Sequence, residues 1–222
     1  MESSHLTNRK IERVKVVSSW AAVITVDGTN IKISIDKLAL KKYKKNTEIS
    51  DSEWQELLLS AVEFLAKDYS LRLLAYGSKS RQEIKKKIKT KIGFWLSKNN
   101  LVIDKVIIDK IIQYNLTFLE EKNIIDDDAY ADSLLRRYKN KSKRQLFFKL
   151  IGKGVDKSIA ESKLSNFEDR ERNAIRSIIA RKTRMKASFS KDEKRKLLAS
   201  LYRKGFSISV AKIEIDDLMK TK

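Results

Sequence analysis

The chain has 222 residues, 41% hydrophobic and 35% charged, with a formal net charge of +20, one histidine, no cysteine and no proline. The missing cysteines exclude disulfides, thiolate metal sites and thiol nucleophiles, and the missing prolines leave long helices uninterrupted. No apolar run is long enough for a membrane span or a signal peptide, so we expect a soluble, cytoplasmic protein with no membrane partner.

The positive charge lies almost entirely in the later part of the chain. Residues 1–71 carry a net charge of +1, whereas residues 72–222 carry +19, and only two of the 14 arginines precede residue 72. A general excess of lysine would raise the charge everywhere, so this segregation favours a polyanionic partner over a merely solubilising surface. Nucleic acid is the commonest such partner, because neutralising its phosphates releases condensed counterions.

The first part of the chain is expected to form β-structure. Val14–Val17 is a short β-branched run, and the apolar runs Ala22–Val26 and Ile31–Ile35 flank Asp27-Gly28. An Asp-Gly pair tolerates positive φ at both residues, so it predicts a β-hairpin. Because a lone hairpin is only marginally stable in water, we expect it to pack on the first helix or to dock on a partner.

The next segment is predicted to lead into helices. Leu38–Thr47 is interpreted as a solvated lysine-rich connector, with phosphate contact as the alternative. Ser50 or Asp51 then caps a helix with an i, i+3, i+4 apolar stripe, and a second helical stretch over Tyr69–Tyr76 is expected to end at Gly77. Further along, the spacing of apolar residues predicts another helix from Asp104 to about Lys122.

A repeated unit follows. Leu146–Leu164 matches Leu197–Ile215 at a constant shift of 51 positions, and the match includes a Lys-Gly pair in each copy. Gly154 and Gly205 stand where a helix C-terminus needs a left-handed residue, and an Asp or Ser two residues later can cap the next helix. The repetition predicts a tandem helical array.

A weaker copy lies upstream. Ser80–Ile84 matches Ser142–Leu146 at a shift of 62 positions, and both have the pattern of a capping box. In this copy a longer stretch, Ile92–Leu101, replaces the Lys-Gly stop.

No catalytic constellation is recognisable in the sequence. It has no glycine-rich phosphate loop, no HExxH motif and no Ser-His pair, so we expect no enzymatic activity, no catalytic residues and no cofactor. The run Asp126-Asp127-Asp128 could bind a divalent metal, but nothing nearby supplies further ligands. We interpret it as a helix N-cap and expect no metal site.

The order of these motifs resembles the RecX family of regulatory proteins. Leu73-Leu74-Ala75 ahead of Ser80–Ile84, followed by Ile124–Ala131, is similar to the family's first-repeat helix pair and its L-D-D-x-x-[FY]-A signature. The later Lys153-Gly154-Val155 and Arg203–Phe206 are similar to its K-G stops. The resemblance covers about residues 65 to 218 and implies tandem three-helix repeats in an elongated curved array. The expected fold class is therefore mainly α, with a small N-terminal β-hairpin region.

The resemblance also implies a domain organisation and a function. We expect an N-terminal β-hairpin region with its linker at 1–48, a first helical repeat with its preceding helix at 49–125, and second and third three-helix repeats at 126–166 and 167–222. Members of the family are non-enzymatic modulators of the RecA recombinase. They lodge in the groove of the RecA filament on single-stranded DNA and suppress its ATPase, strand-exchange and co-protease activities in recombination and the SOS response.

The expected partners are accordingly a RecA filament and single-stranded DNA, with double-stranded DNA left open, and the chain is expected to be a monomer. The alternative is a direct DNA-binding protein or transcription regulator with helix-turn-helix-like units. The expected filament-binding or nucleic-acid-binding residues are the cations Lys85, Lys86, Arg136, Arg137, Lys143, Arg144, Lys149, Arg181, Lys182, Arg184, Lys194, Arg195 and Arg203.

Overall fold

The structure, a computed structural model, describes residues 9–183 and 190–220. The chain divides into two compact units: the first unit is Met1–Ser78 with Ile84–Ile124, and the second unit is Lys79–Glu83 with Ile125–Lys222. The expected class, mainly helical with an N-terminal antiparallel strand region, is confirmed. Among the described helices, none combines the length and the apolar character needed to cross a membrane.

The N-terminal region is a four-stranded sheet in the order β3-β2-β1-β4. The strands are β1 (Arg9–Ser18), β2 (Ala21–Val26), β3 (Thr29–Ser34) and β4 (Glu48–Ile49). The predicted hairpin is β2 and β3, and its turn residues Asp27 and Gly28 both have positive φ, at 47° and 72°. The sheet is larger than predicted because the run around Val14 belongs to a ten-residue strand that pairs with β2 on one side and β4 on the other.

Helix α1 (Ile35–Lys41) occupies the first four of the ten residues predicted to be a connector, so the prediction was wrong for those four. The Ser34 hydroxyl accepts a hydrogen bond from the Lys37 backbone N–H at 3.2 Å, which caps the helix start. Lys37 and Lys41 form ion pairs with Glu56, at 3.1 and 2.5 Å. Lys41 of the predicted connector therefore belongs to a folded element.

Helix α2 (Asp51–Ala75) is a single helix of 25 residues, capped by Ser50 and Glu53 in a capping box. The predicted second stretch from Tyr69 is its last part, and Gly77 follows it with φ +121°, as expected for a stop. Ser70 does not interrupt the helix because its hydroxyl donates to the Lys67 carbonyl at 2.9 Å.

The core of the first unit lies between the sheet and α2. Buried side chains from β2 and β3 pack against an apolar face of the helix, as the sequence predicted for a hairpin on the first long helix. The central members of this core are Ile24, Ile31, Ile33, Trp54, Leu57, Leu58 and Ala61.

Helices α3 (Arg81–Lys98) and α4 (Lys105–Glu121) follow. The stretch Ile92–Leu101 contains the last turns of α3 and then Asn100, whose φ is 52°. The Leu101 N–H donates to the Leu96 carbonyl at 3.0 Å, so asparagine here supplies the left-handed stop that glycine supplies in the later copies.

The second unit contains two groups of three helices, each with its own core. The α5–α7 group consists of α5 (Asp127–Arg137), α6 (Lys143–Gly152) and α7 (Lys157–Lys163). The α8–α10 group consists of α8 (Glu168–Thr183), α9 (Lys191–Arg203) and α10 (Ile208–Lys220). The ends of α6 and α9, and the starts of α7 and α10, are 51 positions apart, which confirms the repeat.

Serines and glycines join helix ends within the second unit. Ser80 donates to the Lys153 carbonyl at 2.7 Å and accepts from the Glu83 N–H, and Gly154 has φ +78° beside it. One repeat later, Ser142 donates to the Lys204 carbonyl at 2.8 Å. Each serine thus caps the start of one helix and the end of another, an arrangement that also aligns the helix dipoles favourably.

Candidate nucleic-acid interface

Helices α5 and α6 carry exposed cations that have no carboxylate partner in the part of the chain that the structure describes. Five of the predicted residues lie here, and within the described part of the chain none forms a salt bridge. These five residues are Arg136, Arg137, Lys143, Arg144 and Lys149. Arg136 and Arg137 end α5, where a cation complements the helix dipole, but that interaction leaves their hydrogen-bond donors available to an external anion.

Aromatic rings lie beside two of these cations. The Lys149 ammonium is 4.5 Å from the centroid of the Tyr138 ring, and the Arg144 guanidinium is 6.0 Å from that of Phe148. Phe148 is 61% exposed, which is unusual for a phenylalanine and gives the basic surface a flat apolar component. A cation beside an exposed ring is suited to ligands that combine a negative charge with a planar group.

The predicted cations of the α8–α10 group are in a different situation. Lys194 forms an ion pair with Asp216, and Arg195 lies 3.6 Å from Asp192. Lys182 donates to the Ser200 hydroxyl at 3.1 Å. Each of these three residues has a partner, but Arg195 is exposed, as are Arg181 and Arg203. Arg184 lies outside the described residues.

One ion pair of this group was not predicted from the sequence. Arg176 of α8 forms an ion pair with Glu214 of α10, and Glu214 is only 1% exposed. Hydrogen bonding to this carboxylate raises the pKa of Arg176. The guanidinium therefore neutralises a buried acid.

The two remaining predicted residues, Lys85 and Lys86, belong to α3 in the first unit. Lys85 is half-buried and Lys86 is exposed. Their neighbour Lys89 hydrogen-bonds Asp109 at 2.7 Å and, with a smaller contribution from Lys85, lowers the pKa of that carboxyl group.

A cavity of about 280 Å³ opens beside Arg136 and brings together cations from α5 and α8; we call it the Phe167 cavity. Its lining residues are Leu135, Arg136, Lys139, Leu146, Phe167, Arg170 and Asn173. Lys139 and Arg170 were not among the predicted site residues. They are separated by 31 positions in the chain, so only the folded structure shows that they share one cavity with Arg136.

The three aspartates before α5 have structural roles. Asp126 accepts from the Ala129 N–H at 2.9 Å as the N-cap, and Asp127 accepts from the Arg81 N–H at 2.8 Å. Asp128 lies 3.2 Å from Lys163, whose pKa is raised by hydrogen bonds to Asp132 and Asp128. No group of three potential metal-ligating side chains is assembled in the residues that the structure describes.

The sequence of this chain is similar to those of known proteins. No family-wide sequence model matches it. The regulatory protein RecX of Chlorobium limicola is 31% identical over 156 residues, which cover 69% of this chain and 89% of that protein. The regulatory protein RecX of Clostridium acetobutylicum is 25% identical over an alignment of 227 positions, covering 99% of this chain and 97% of the relative.

The fold is also similar to solved structures. A crystal structure of a regulatory protein RecX aligns with a TM-score of 0.63 at 21% identity, covering 94% of this chain and 99% of the other. RecX from Lactobacillus salivarius aligns with a TM-score of 0.57 at 22% identity, covering 71% of this chain and 96% of the other. On the sequence similarity and the fold together, the chain belongs to the RecX family of regulatory proteins.

Proposed function

We propose that this chain is a non-enzymatic inhibitor of the RecA recombinase. It binds in the groove of the RecA filament on single-stranded DNA and suppresses ATP hydrolysis, strand exchange and co-protease activity, acting in recombination and the SOS response. The proposal takes residues 49–125, 126–166 and 167–222 as three successive repeats, and takes the cytoplasm as the place of action and the monomer as the active form.

The observation that carries the proposal is the set of cations on α5 and α6 that form no salt bridge among the described residues, in a member of this family. A basic surface whose charges are already neutralised by its own carboxylates would gain little from a polyanion. Cations without a carboxylate partner retain their attraction for phosphates, and binding them releases counterions. The α5–α6 surface is therefore assigned to the DNA or to acidic groups of the filament.

The experiment is RecA-dependent ATP hydrolysis on single-stranded DNA, titrated with this protein at physiological salt. Binding of the protein to the same DNA without RecA is measured in parallel. We expect inhibition at concentrations well below those that coat bare DNA. Inhibition that begins only when the DNA is coated would contradict a filament-directed function and would favour the direct DNA-binding alternative. A sequence-specific DNA-binding protein would also show strong sequence preference in a duplex competition assay.

A charge-reversed variant tests the assigned surface. We expect Arg136→Glu/Arg137→Glu/Arg144→Glu to lose inhibition while unfolding at nearly the same urea concentration as the wild type, because these exposed side chains form no ion pair with any residue that the structure describes. The matched control is Lys15→Glu/Lys44→Glu/Lys45→Glu, which changes the net charge equally at exposed positions of the first unit. Equal losses in both variants would show a net-charge effect and would contradict the assignment.

A further inference from the structure

The Phe167 cavity has two chemically distinct parts. Its floor consists of Leu135, Leu146 and Phe167, which are at most 3% exposed and belong to the core of the α5–α7 group. Its rim carries exposed polar side chains from two helices of the second unit. An apolar floor beneath polar groups that converge from different elements is the usual composition of a ligand site.

The rim is strongly positive. Arg136, Lys139 and Arg170 line it, and none of them has a salt bridge within the described residues. Asn173, also on the rim and exposed, can donate and accept hydrogen bonds. Among the described residues that line the cavity there is no carboxylate. Charge complementarity therefore favours an anionic ligand that also has an apolar part.

We propose that the Phe167 cavity holds one base of single-stranded nucleic acid, with the phosphates on either side of that base bound by Arg136, Lys139 and Arg170. This rests on the proposed function only in assigning nucleic acid as the ligand, and it adds where and how the strand is held. The volume of about 280 Å³ lies just under the range of about 300–1,000 Å³ for drug-sized ligands. It accommodates one ring system.

A nucleotide fits this cavity better than an acidic peptide. Every nucleotide joins a planar base to an anion at a short, constant separation, so each unit of the strand matches the floor and the rim together. A peptide would need separate apolar and acidic residues in a particular order. The neighbouring exposed Phe148, with Arg144 beside its ring, provides a second stacking surface on α6, the helix that also contributes Leu146 to the cavity floor.

The test compares oligothymidine with an abasic strand of equal length and charge, by fluorescence anisotropy without RecA. We expect the wild-type chain to bind oligothymidine more tightly by about fivefold or more, because stacking of a single base is typically worth at least that factor. Asn173→Leu places a larger side chain without a ring at the exposed rim and is expected to reduce the preference for oligothymidine, leaving the part that stacking on Phe148 contributes. Ser177→Leu is the control, at an exposed position of the same helix outside the cavity lining, and is expected to keep the wild-type preference.

Three outcomes would overturn the inference. Equal wild-type affinity for the two strands would mean that the cavity holds no base, and filament inhibition could still be observed in the ATPase assay. Equal effects of Asn173→Leu and Ser177→Leu on the preference would mean that the base binds elsewhere. If Asn173→Leu blocks binding of an acidic tryptophan-containing peptide and leaves the base preference intact, the cavity is a protein-docking site. Both variants are first required to have the wild-type helical circular dichroism spectrum and urea midpoint.

Discussion

The α5–α7 group and the α8–α10 group share a sequence pattern, but their cations have different surroundings. In the α5–α7 group Arg136 and Arg144 are exposed and have no salt bridge among the described residues. In the α8–α10 group Arg176 and Lys194 form ion pairs with acids of α10. The number of basic residues alone does not distinguish the two groups. The positions of the carboxylates separate the exposed cations of α5 and α6, which can bind a polyanion, from Arg176 and Lys194, which stabilise their own group.

The largest expected effect concerns the buried acid of the α8–α10 group. We expect Arg176→Gln to lower the urea midpoint clearly, because it leaves the Glu214 carboxylate, 1% exposed, without its cation. Arg136→Gln is the matched change in the other group and is expected to stay within about 0.5 kcal/mol of the wild type, as surface substitutions usually do. Equilibrium urea unfolding followed by circular dichroism measures both. Equal urea midpoints for Arg176→Gln and Arg136→Gln would contradict the claim that only the cation of the α8–α10 group stabilises the fold.

The two glycine turns give a second comparison between the groups. Gly154 and Gly205 both have φ +78°, so alanine at either position is expected to cost about 1–2 kcal/mol from backbone strain alone. A Cβ at Gly154 would lie 2.6 Å from the Ser80 hydroxyl oxygen, whereas one at Gly205 would lie 3.2 Å from that of Ser142. We therefore expect Gly154→Ala to be the more destabilising in urea unfolding.

A double-mutant cycle isolates the steric part of this difference. Ser80→Ala removes the oxygen that the new methyl group would meet, so we expect the additional cost of Gly154→Ala over Gly205→Ala to shrink in the Ser80→Ala background. If the difference in destabilisation between Gly154→Ala and Gly205→Ala stays the same, the close approach of the Gly154 turn to Ser80 does not cause it.

The sequence predicted the regular parts of this molecule well. The shift of 51 positions located the ends of α6 and α9, and the Asp-Gly pair located the turn between β2 and β3. The sequence did not predict β4, which has only two residues and no pattern of its own. It also did not predict α1, because the lysine-rich segment that includes its second half was interpreted as a connector. Short elements of this kind depend on tertiary contacts, such as the pairing of β4 with β1 and the bond from Lys37 to Glu56.

The candidate site was less predictable than the fold. Basic residues are visible in the sequence, but their partners are not: Asp216 is 22 positions from Lys194, and Glu214 is 38 positions from Arg176. The Phe167 cavity likewise depends on α5 and α8 meeting in space. Sequence periodicity fixes which face of one helix is apolar, and only the packing of several helices decides which cations remain unpaired.

The smallest expected effect is on filament binding by the α8–α10 group. We expect Lys194→Gln/Arg195→Gln to change inhibition of RecA-dependent ATP hydrolysis by less than about twofold, since these cations are engaged with Asp216 and Asp192 and contribute few new phosphate contacts. Arg136→Gln/Arg144→Gln removes the same charge and is expected to weaken inhibition by about tenfold or more. A larger loss from the α9 pair would reverse the assignment of the two groups.

Hydrogen exchange of this protein, free and bound to RecA filaments on single-stranded DNA, tests the assignment of the interface most directly. We expect protection on binding to concentrate in residues 136–149, from the end of α5 through the exposed part of α6, and at the start of α8 beside the Phe167 cavity, because contact with the filament shields that backbone and suppresses its local opening. The α9 and α10 amides should exchange almost as in the free protein. Protection confined to α9 and α10, or to the first unit, would contradict the assignment of the α5–α6 surface as the filament contact.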